Sequence, residues 1–298
     1  MPNLPSRSIQ LAYEEFGSPD APAVILIMGL YCQLIDWPER FCQKIAEAGY
    51  RVIRFDNRDI GLSSHLDHLP PPSLAAYGLS MAWGLRVPAP YGLDEIADDV
   101  LGLMASLKID RAHLVGSSMG GVIAQIIAAE HPDQVCSLCC LSSTTGNPLL
   151  PPPRWQVMQL IASPSFIFSD SGQQQKMELM RLLMSPAYPK TDTELESWVA
   201  EREQRSPDSQ GLSRQLAASL HTGDISARLK NVRAPTLILH GDSDPLVPYT
   251  SGQDIANKIP AARFELIEGW GHDFPEELAE PLARKLLAHL TNSPCPND

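Results

Sequence analysis

Residues Gly116-Ser117-Ser118-Met119-Gly120 stand between two apolar runs, Ala112-His113-Leu114-Val115 before them and Val122-Ile123-Ala124-Gln125-Ile126-Ile127-Ala128-Ala129 after. The pattern is G-x-S-x-G at a strand-to-helix junction. A chain that passes this abruptly from strand to helix sets the serine on a strained turn and lifts its hydroxyl clear of the sheet edge. The flanking glycines are required because a Cβ at either place would collide with the neighbouring strand or helix. By composition alone about one chain of this length in ten carries the pattern. Its weight therefore comes from its context and from partners further along the chain.

The rest of the chain supplies that context. Strands are expected over 8–16, 23–28, 50–56, 111–116, 135–141, 236–241 and 263–267, and helices over 37–49, 94–107, 119–130, 251–258 and 276–290. The 23–28 run is continuously apolar, as a strand covered on both faces must be, and 135–141 is another apolar strand. Strand alternating with helix implies an α/β fold with a mostly parallel central sheet, right-handed crossovers and helices on both faces. A long irregular stretch over 57–93 holds Pro70-Pro71-Pro72 and a short helical pattern at 74–85. From 147 to 226 the strand signal vanishes, and helical pieces with proline-rich joints replace it. Residues 1–146 and 227–298 thus read as one core domain, and 147–226 as a helical cap inserted in it.

A serine hydroxyl is a weak nucleophile at neutral pH and needs a base, which in turn needs an orienting acid. In an open parallel sheet such groups collect just beyond the carboxyl ends of strands. Two later segments satisfy this placement: Gly241-Asp242-Ser243-Asp244-Pro245 and Gly269-Trp270-Gly271-His272-Asp273. Ser118, Asp244 and His272 are the catalytic candidates, in the order serine, acid, histidine. Ser117 is the weaker serine because its flanking glycines do not fit the turn. Asp242 competes with Asp244, and His240 reads as a packed histidine. His221 reads as a surface residue of the cap, and Arg58 and Asp59 as loop-pinning charges.

With these residues in place, the chain resembles the α/β-hydrolase fold family over nearly its whole length, and within it the esterase-like serine hydrolases with a helical cap. The resemblance includes Met28-Gly29-Leu30 after one strand and Asp56-Asn57-Arg58-Asp59-Ile60-Gly61-Leu62-Ser63 after the next. It implies nucleophilic attack by Ser118, proton transfer by His272 and orientation of the imidazole by Asp244. It implies an oxyanion hole of two backbone N–H groups, from Met119 at the helix start and from Leu30. Many members have His-Gly where this chain has Met28-Gly29, a change that removes a side chain and leaves the backbone donor. Related chemistries on such a triad include carbon–carbon bond hydrolysis and perhydrolysis; an aspartate nucleophile is disfavoured by Ser118. A non-catalytic binding protein of the same fold is the alternative of a different class, and the joint presence of all three triad residues argues against it.

The cap carries Trp155, Met158, Leu160, Ile161, Phe166, Ile167, Phe168, Met180, Leu183, Met184 and Trp198. Methionine adapts to irregular apolar shapes, so a greasy pocket under a mobile cap is expected, with Trp155, Met158 and Met184 as substrate contacts. The substrate expected is a small to medium apolar carboxylic ester, with no metal and no organic cofactor required. The formal charge of −12 repels a phosphate backbone, which argues against nucleic acid as a partner. No stretch approaches the ~18 apolar residues of a membrane span, and no apolar leader segment follows Met1. The six cysteines show no paired C-x-x-C spacing. The expectation is buried free thiols in a cytoplasmic protein, without a zinc site.

Overall fold

The computed structural model describes residues 9–70, 86–161, 173–206 and 210–295. The strands are β1 (Tyr13–Phe16), β2 (Ala23–Ile27), β3 (Arg51–Phe55), β4 (Ala112–Ser117), β5 (Val135–Leu141), β6 (Thr236–Gly241) and β7 (Arg263–Ile267). They form a sheet in the order β1-β3-β2-β4-β5-β6-β7. β1 runs antiparallel to β3 and every other pairing is parallel.

Side chains alternate between the sheet faces, and the core divides accordingly. Ala23, Ile25 and Ile27 join one cluster with Leu114, Leu138 and Ile238. Val24, Leu26 and Met28 join the other with Val115, Cys139, Leu237 and Leu239. Helices α2 (Leu93–Ser106), α3 (Met119–Glu130) and α8 (Thr250–Lys258) cover the first face, while α1 (Glu39–Glu47) and α9 (Glu276–Thr291) cover the second. Their inward residues recur at helical spacing: Phe41 and Ile45 on α1, Leu278, Leu282, Leu286 and Leu290 on α9. Each such side chain, fully buried, contributes about 1.5–3 kcal/mol relative to exposure. α3 is buried along nearly its whole length, which explains why its sequence is apolar without a polar face.

β2 pairs with β3 on one side and β4 on the other, so the chain leaves these neighbours in opposite directions. The crevice beyond their carboxyl ends is where an open α/β sheet places a ligand.

Between β5 and β6 lie α4 (Trp155–Ile161), α5 (Gln173–Leu183), α6 (Asp192–Arg205) and α7 (Gly211–Thr222), with no strand among the described residues. α7 is packed on the sheet domain. Its Ala218 joins the main core cluster, and its fully buried Arg214 clamps the fully buried Asp59 at 2.7 and 3.0 Å. Tyr91 donates to the same carboxylate at 2.6 Å. Arg205 near the end of α6 meets the buried Asp56 carboxylate at 2.8 Å. Removing one member of such a buried pair leaves an uncompensated charge at a cost of about 3–5 kcal/mol. These pairs fasten α6 and α7 to the sheet domain. Arg58 and Asp59 do pin their loop, Arg58 through Asp99 at 2.5 Å.

The free-thiol expectation is corrected for two cysteines. Cys136 and Cys295, 159 positions apart, form a disulfide with Cα atoms 4.9 Å apart. The bond ties the segment after α9 to the start of β5. Cys32, Cys42, Cys139 and Cys140 are free. Among the described residues no helix is long and apolar enough to cross a membrane. The 74–85 pattern and Phe166, Ile167 and Phe168 lie outside the described residues.

Candidate active site

Ser118 sits between β4 and α3 with φ 52° and ψ −118°, a conformation that costs a non-glycine residue about 1–3 kcal/mol. The surroundings enforce it. The Ser118 N–H donates to Leu141 O at 2.9 Å. The Ser118 carbonyl accepts from Gly121 N–H at 2.9 Å and from Ser143 Oγ at 2.8 Å. A Cβ on Gly120 would lie 2.0 Å from Ile27 O, so the helix approaches β2 closely only because that residue is glycine.

The loops after β6 and β7 bring the other two candidates to this turn. His272 Nε2 lies 3.1 Å from Ser118 Oγ, and His272 Nδ1 lies 2.7 Å from Asp244 Oδ2. Asp244 Oδ1 accepts from the Leu246 and Val247 N–H groups at 2.9 and 2.8 Å, which fixes the carboxylate's plane. Burial alone would push the His272 pKa down, but the adjoining Asp244 carboxylate outweighs it and holds the imidazole above its usual range. For Asp244, burial works upward, and the His272 charge with the hydrogen bonds of His240, His272 and Val247 hold it below the carboxylate range. The Asp244 carboxylate thus stabilises the protonated imidazole, and once deprotonated at Nε2 the ring presents a lone pair to the serine.

The competing residues have other work. Asp242 accepts from Gly269 N–H at 2.8 Å and shapes the loop before His272. His240 Nε2 bonds Val247 O at 2.8 Å and backs Asp244 Oδ2 at 3.6 Å. His221 bonds Val87 O at 2.8 Å and does not line the cavity. Burial, then Asp36, push the Cys32 thiol well above its usual range.

Met119 opens α3, and an N–H in the first turn has no partner within its helix. Gly29 packs against Ser118, since a Cβ there would lie 3.2 Å from Ser118 Cβ. Leu30 follows and lines the same cavity. The next residue, Tyr31, has φ 67° and donates its N–H to Gln215 Oε1 at 3.0 Å. Gln215 Nε2 in turn reaches Arg58 O at 2.8 Å, so α7 braces the loop that carries Leu30.

A cavity of about 550 Å³ opens onto Ser118 and His272. Met28, Leu30, Ile35 and Leu246 give it an apolar wall, and Ile161, Leu179, Met180, Leu183, Trp198, Leu212 and Leu216, from the helices between β5 and β6, line the rest of its apolar surface. Charged groups, among them Asp36, Glu39, Arg54, Lys190 and Arg202, line another part. The three cap contacts expected from sequence are not among the lining residues. Trp155 is 63% and Met158 39% exposed, and Met184 accepts from Lys190 N–H through its sulfur. Apolarity alone did not reveal which side of a short cap helix turns inward. Ser142, unmarked in the sequence, lines the cavity with φ 45° and a buried Oγ that has no hydrogen-bond partner. Its position directly after an apolar strand is the signal that points to it.

Two groups of three potential metal ligands occur among the described residues, His113 with Cys136 and Cys295, and Asp59 with His65 and Asp67. In the first the sulfurs are bonded to each other, and in the second Asp59 is held by Arg214 and Tyr91. Neither group lines the cavity.

Comparison with known proteins agrees with the fold. A family model described as alpha/beta hydrolase fold matches residues 22–277. The chain is 28% identical over 309 residues to rhodomycin D methylesterase DnrP of Streptomyces peucetius, with 96% of each chain covered. It is 29% identical over 314 residues to rhodomycin D methylesterase DauP of Streptomyces sp. strain C5, covering 96% of this chain and 98% of that one. The crystal structure of an enol-lactonase from Burkholderia xenovorans LB400 superposes with a TM-score of 0.75 at 21% identity, covering 95% of this chain and 97% of that one. Strand order, the turn at Ser118 and the family match converge: this chain belongs to the alpha/beta hydrolase fold family.

Proposed function

We propose that this hydrolase cleaves carboxylic esters through an acyl-enzyme on Ser118. The observation that carries the reading is the row Ser118 Oγ, His272 and Asp244, with contacts of 3.1 and 2.7 Å, ending in a largely apolar cavity of about 550 Å³. Ser118 Oγ attacks the ester carbonyl as its proton passes to His272 Nε2. The carbonyl oxygen becomes an oxyanion that takes hydrogen bonds from the Leu30 and Met119 N–H groups, each such donor contributing about 3 kcal/mol to the transition state. His272 then gives its proton to the departing alcohol. Water enters, loses a proton to the same nitrogen and releases the acid. Asp244 keeps the Nδ1 proton in place and stabilises the cation formed at each step.

The relatives named as methylesterases support an ester substrate, and among esters one with a small alcohol on a larger apolar acid. The cavity supports the same reading, since its apolar lining suits a bulky acyl part. In this reading residues 147–226 act as the cap and the remainder as the core. A panel of aryl acetates and methyl esters of increasing acid size, run on wild type and Ser118→Ala, tests it. Turnover is expected in the wild type, with efficiency rising with acid size, and none in Ser118→Ala. Equal turnover in both proteins would refute the serine mechanism.

A further inference from the structure

The loop that carries His272 is held by the cap as well as by the sheet domain. His272 N–H donates to Leu183 O at 2.7 Å. The preceding Gly271 N–H donates to Ser185 Oγ at 2.9 Å. Ser185 returns two hydrogen bonds to the following residue, from its N–H and its hydroxyl to Asp273 Oδ1 at 2.9 and 2.5 Å. Lys190 Nζ meets Asp273 Oδ2 at 3.3 Å, and Ala187 N–H reaches Gly269 O at 3.3 Å. Ser185 is fully buried and the Asp273 side chain is 2% exposed. The approach is close enough that a Cβ on Gly271 would lie 2.5 Å from Leu183 O.

A buried carboxylate persists only where partners compensate it, and every partner of Asp273 named here comes from the cap segment 183–190. That segment thus grips the residues before and after His272 as well as its own amide. We propose that Ser185 and Asp273 are positioning residues for His272, fastening the loop of the base to the cap so that the cap is part of the frame that aligns the triad. The inference rests on the triad reading above. Neither residue takes part in proton transfer. They act by holding the imidazole within reach of Ser118, and a displacement of about 1 Å at such a site can cost on the order of a hundredfold in rate.

The test is steady-state kinetics of Ser185→Ala and Asp273→Asn on an aryl acetate, with Ser118→Ala alongside and the rate of fluorophosphonate labelling measured in parallel. Ser185→Ala is expected to lower kcat by about 10- to 100-fold with KM little changed, because Ser185 does not line the cavity. Labelling is expected to slow in proportion. Asp273→Asn keeps an acceptor for Ser185 and is expected to retain more of kcat than Ser185→Ala. Wild-type kcat and labelling in Ser185→Ala would overturn the inference, and turnover in Ser118→Ala would instead overturn the triad. Hydrogen exchange on the wild-type protein needs no variant: the amides of 271–272 and of 183–187 are expected to exchange together. Fast exchange at 271–272 beneath protected 183–187 amides would also overturn it.

Discussion

The substitution Asp244→Asn changes one atom of the row that ends at Ser118. The retained Oδ1 still accepts from Leu246 and Val247 N–H at 2.9 and 2.8 Å, so the side chain stays in place. The new Nδ2 occupies the position 2.7 Å from His272 Nδ1, and an amide nitrogen there can only donate. His272 must then carry its proton on Nε2, the nitrogen 3.1 Å from Ser118 Oγ, and it has no lone pair left to accept the serine proton. The imidazolium also loses its counter-charge. Together these effects are expected to lower kcat about 10⁴-fold, or about 5.4 kcal/mol at the barrier. KM on a small aryl acetate should hold, because Asp244 does not line the cavity. Stopped-flow release of the aryl alcohol, with circular dichroism to verify folding, measures both constants. A folded Asn variant within about tenfold of wild type would refute the orienting role assigned to Asp244.

Because the active base is neutral and the His272 pKa is held above 6.5, kcat/KM should fall as pH drops through a midpoint above that value. A flat profile from pH 5 to 8 would contradict the role. The stability linkage has the opposite sign: a raised histidine pKa stabilises the fold fully below its unfolded value and is lost as pH rises through the folded one, so the Tm contribution of this pair should decline on the alkaline side, measured against His272→Gln. Breaking the Cys136–Cys295 tether with Cys136→Ser or dithiothreitol releases a loop of 159 positions. Stability should fall by about 2–5 kcal/mol, and an unchanged Tm would contradict the bond. Leu179→Trp, which fills part of the cavity, should lower efficiency on bulky methyl esters while sparing a small acetate; Trp155→Ala, at a residue 63% exposed, should change neither. The reverse outcome would place the acyl site elsewhere.

Much of this organisation was legible in the sequence, and the reason is local. The turn at Ser118 is fixed by glycines that sit beside it, and the strands around it are short apolar runs whose ends mark where chemistry collects. Asp244 and His272 follow such runs directly, so placing them required only strand ends and chain order. Asp242 follows β6 as well; the resemblance to the family favours Asp244, and of the two it is Asp244 that meets the imidazole. What stayed hidden depends on contacts between distant segments. Arg214 carries no sequence signal of its partner Asp59, 155 positions away. The disulfide has no spacing signal, because its partners lie 159 positions apart and are brought together only by the fold. The cap contacts were misplaced for the same reason: Trp155 and Met180 are equally apolar, and only the docking of their helices decides that one faces solvent and the other the cavity. Asp273 and Ser185, 88 positions apart, gave no sign of each other.

The most direct measurement is to trap the nucleophile. Wild-type protein mixed with a fluorophosphonate, or quenched during turnover of a slow ester, is digested and mapped by mass spectrometry. A single adduct on Ser118, absent from Ser118→Ala and formed far more slowly in His272→Ala, is the expected result. An adduct on any other residue, or turnover with no adduct at all, would contradict the covalent mechanism at this serine.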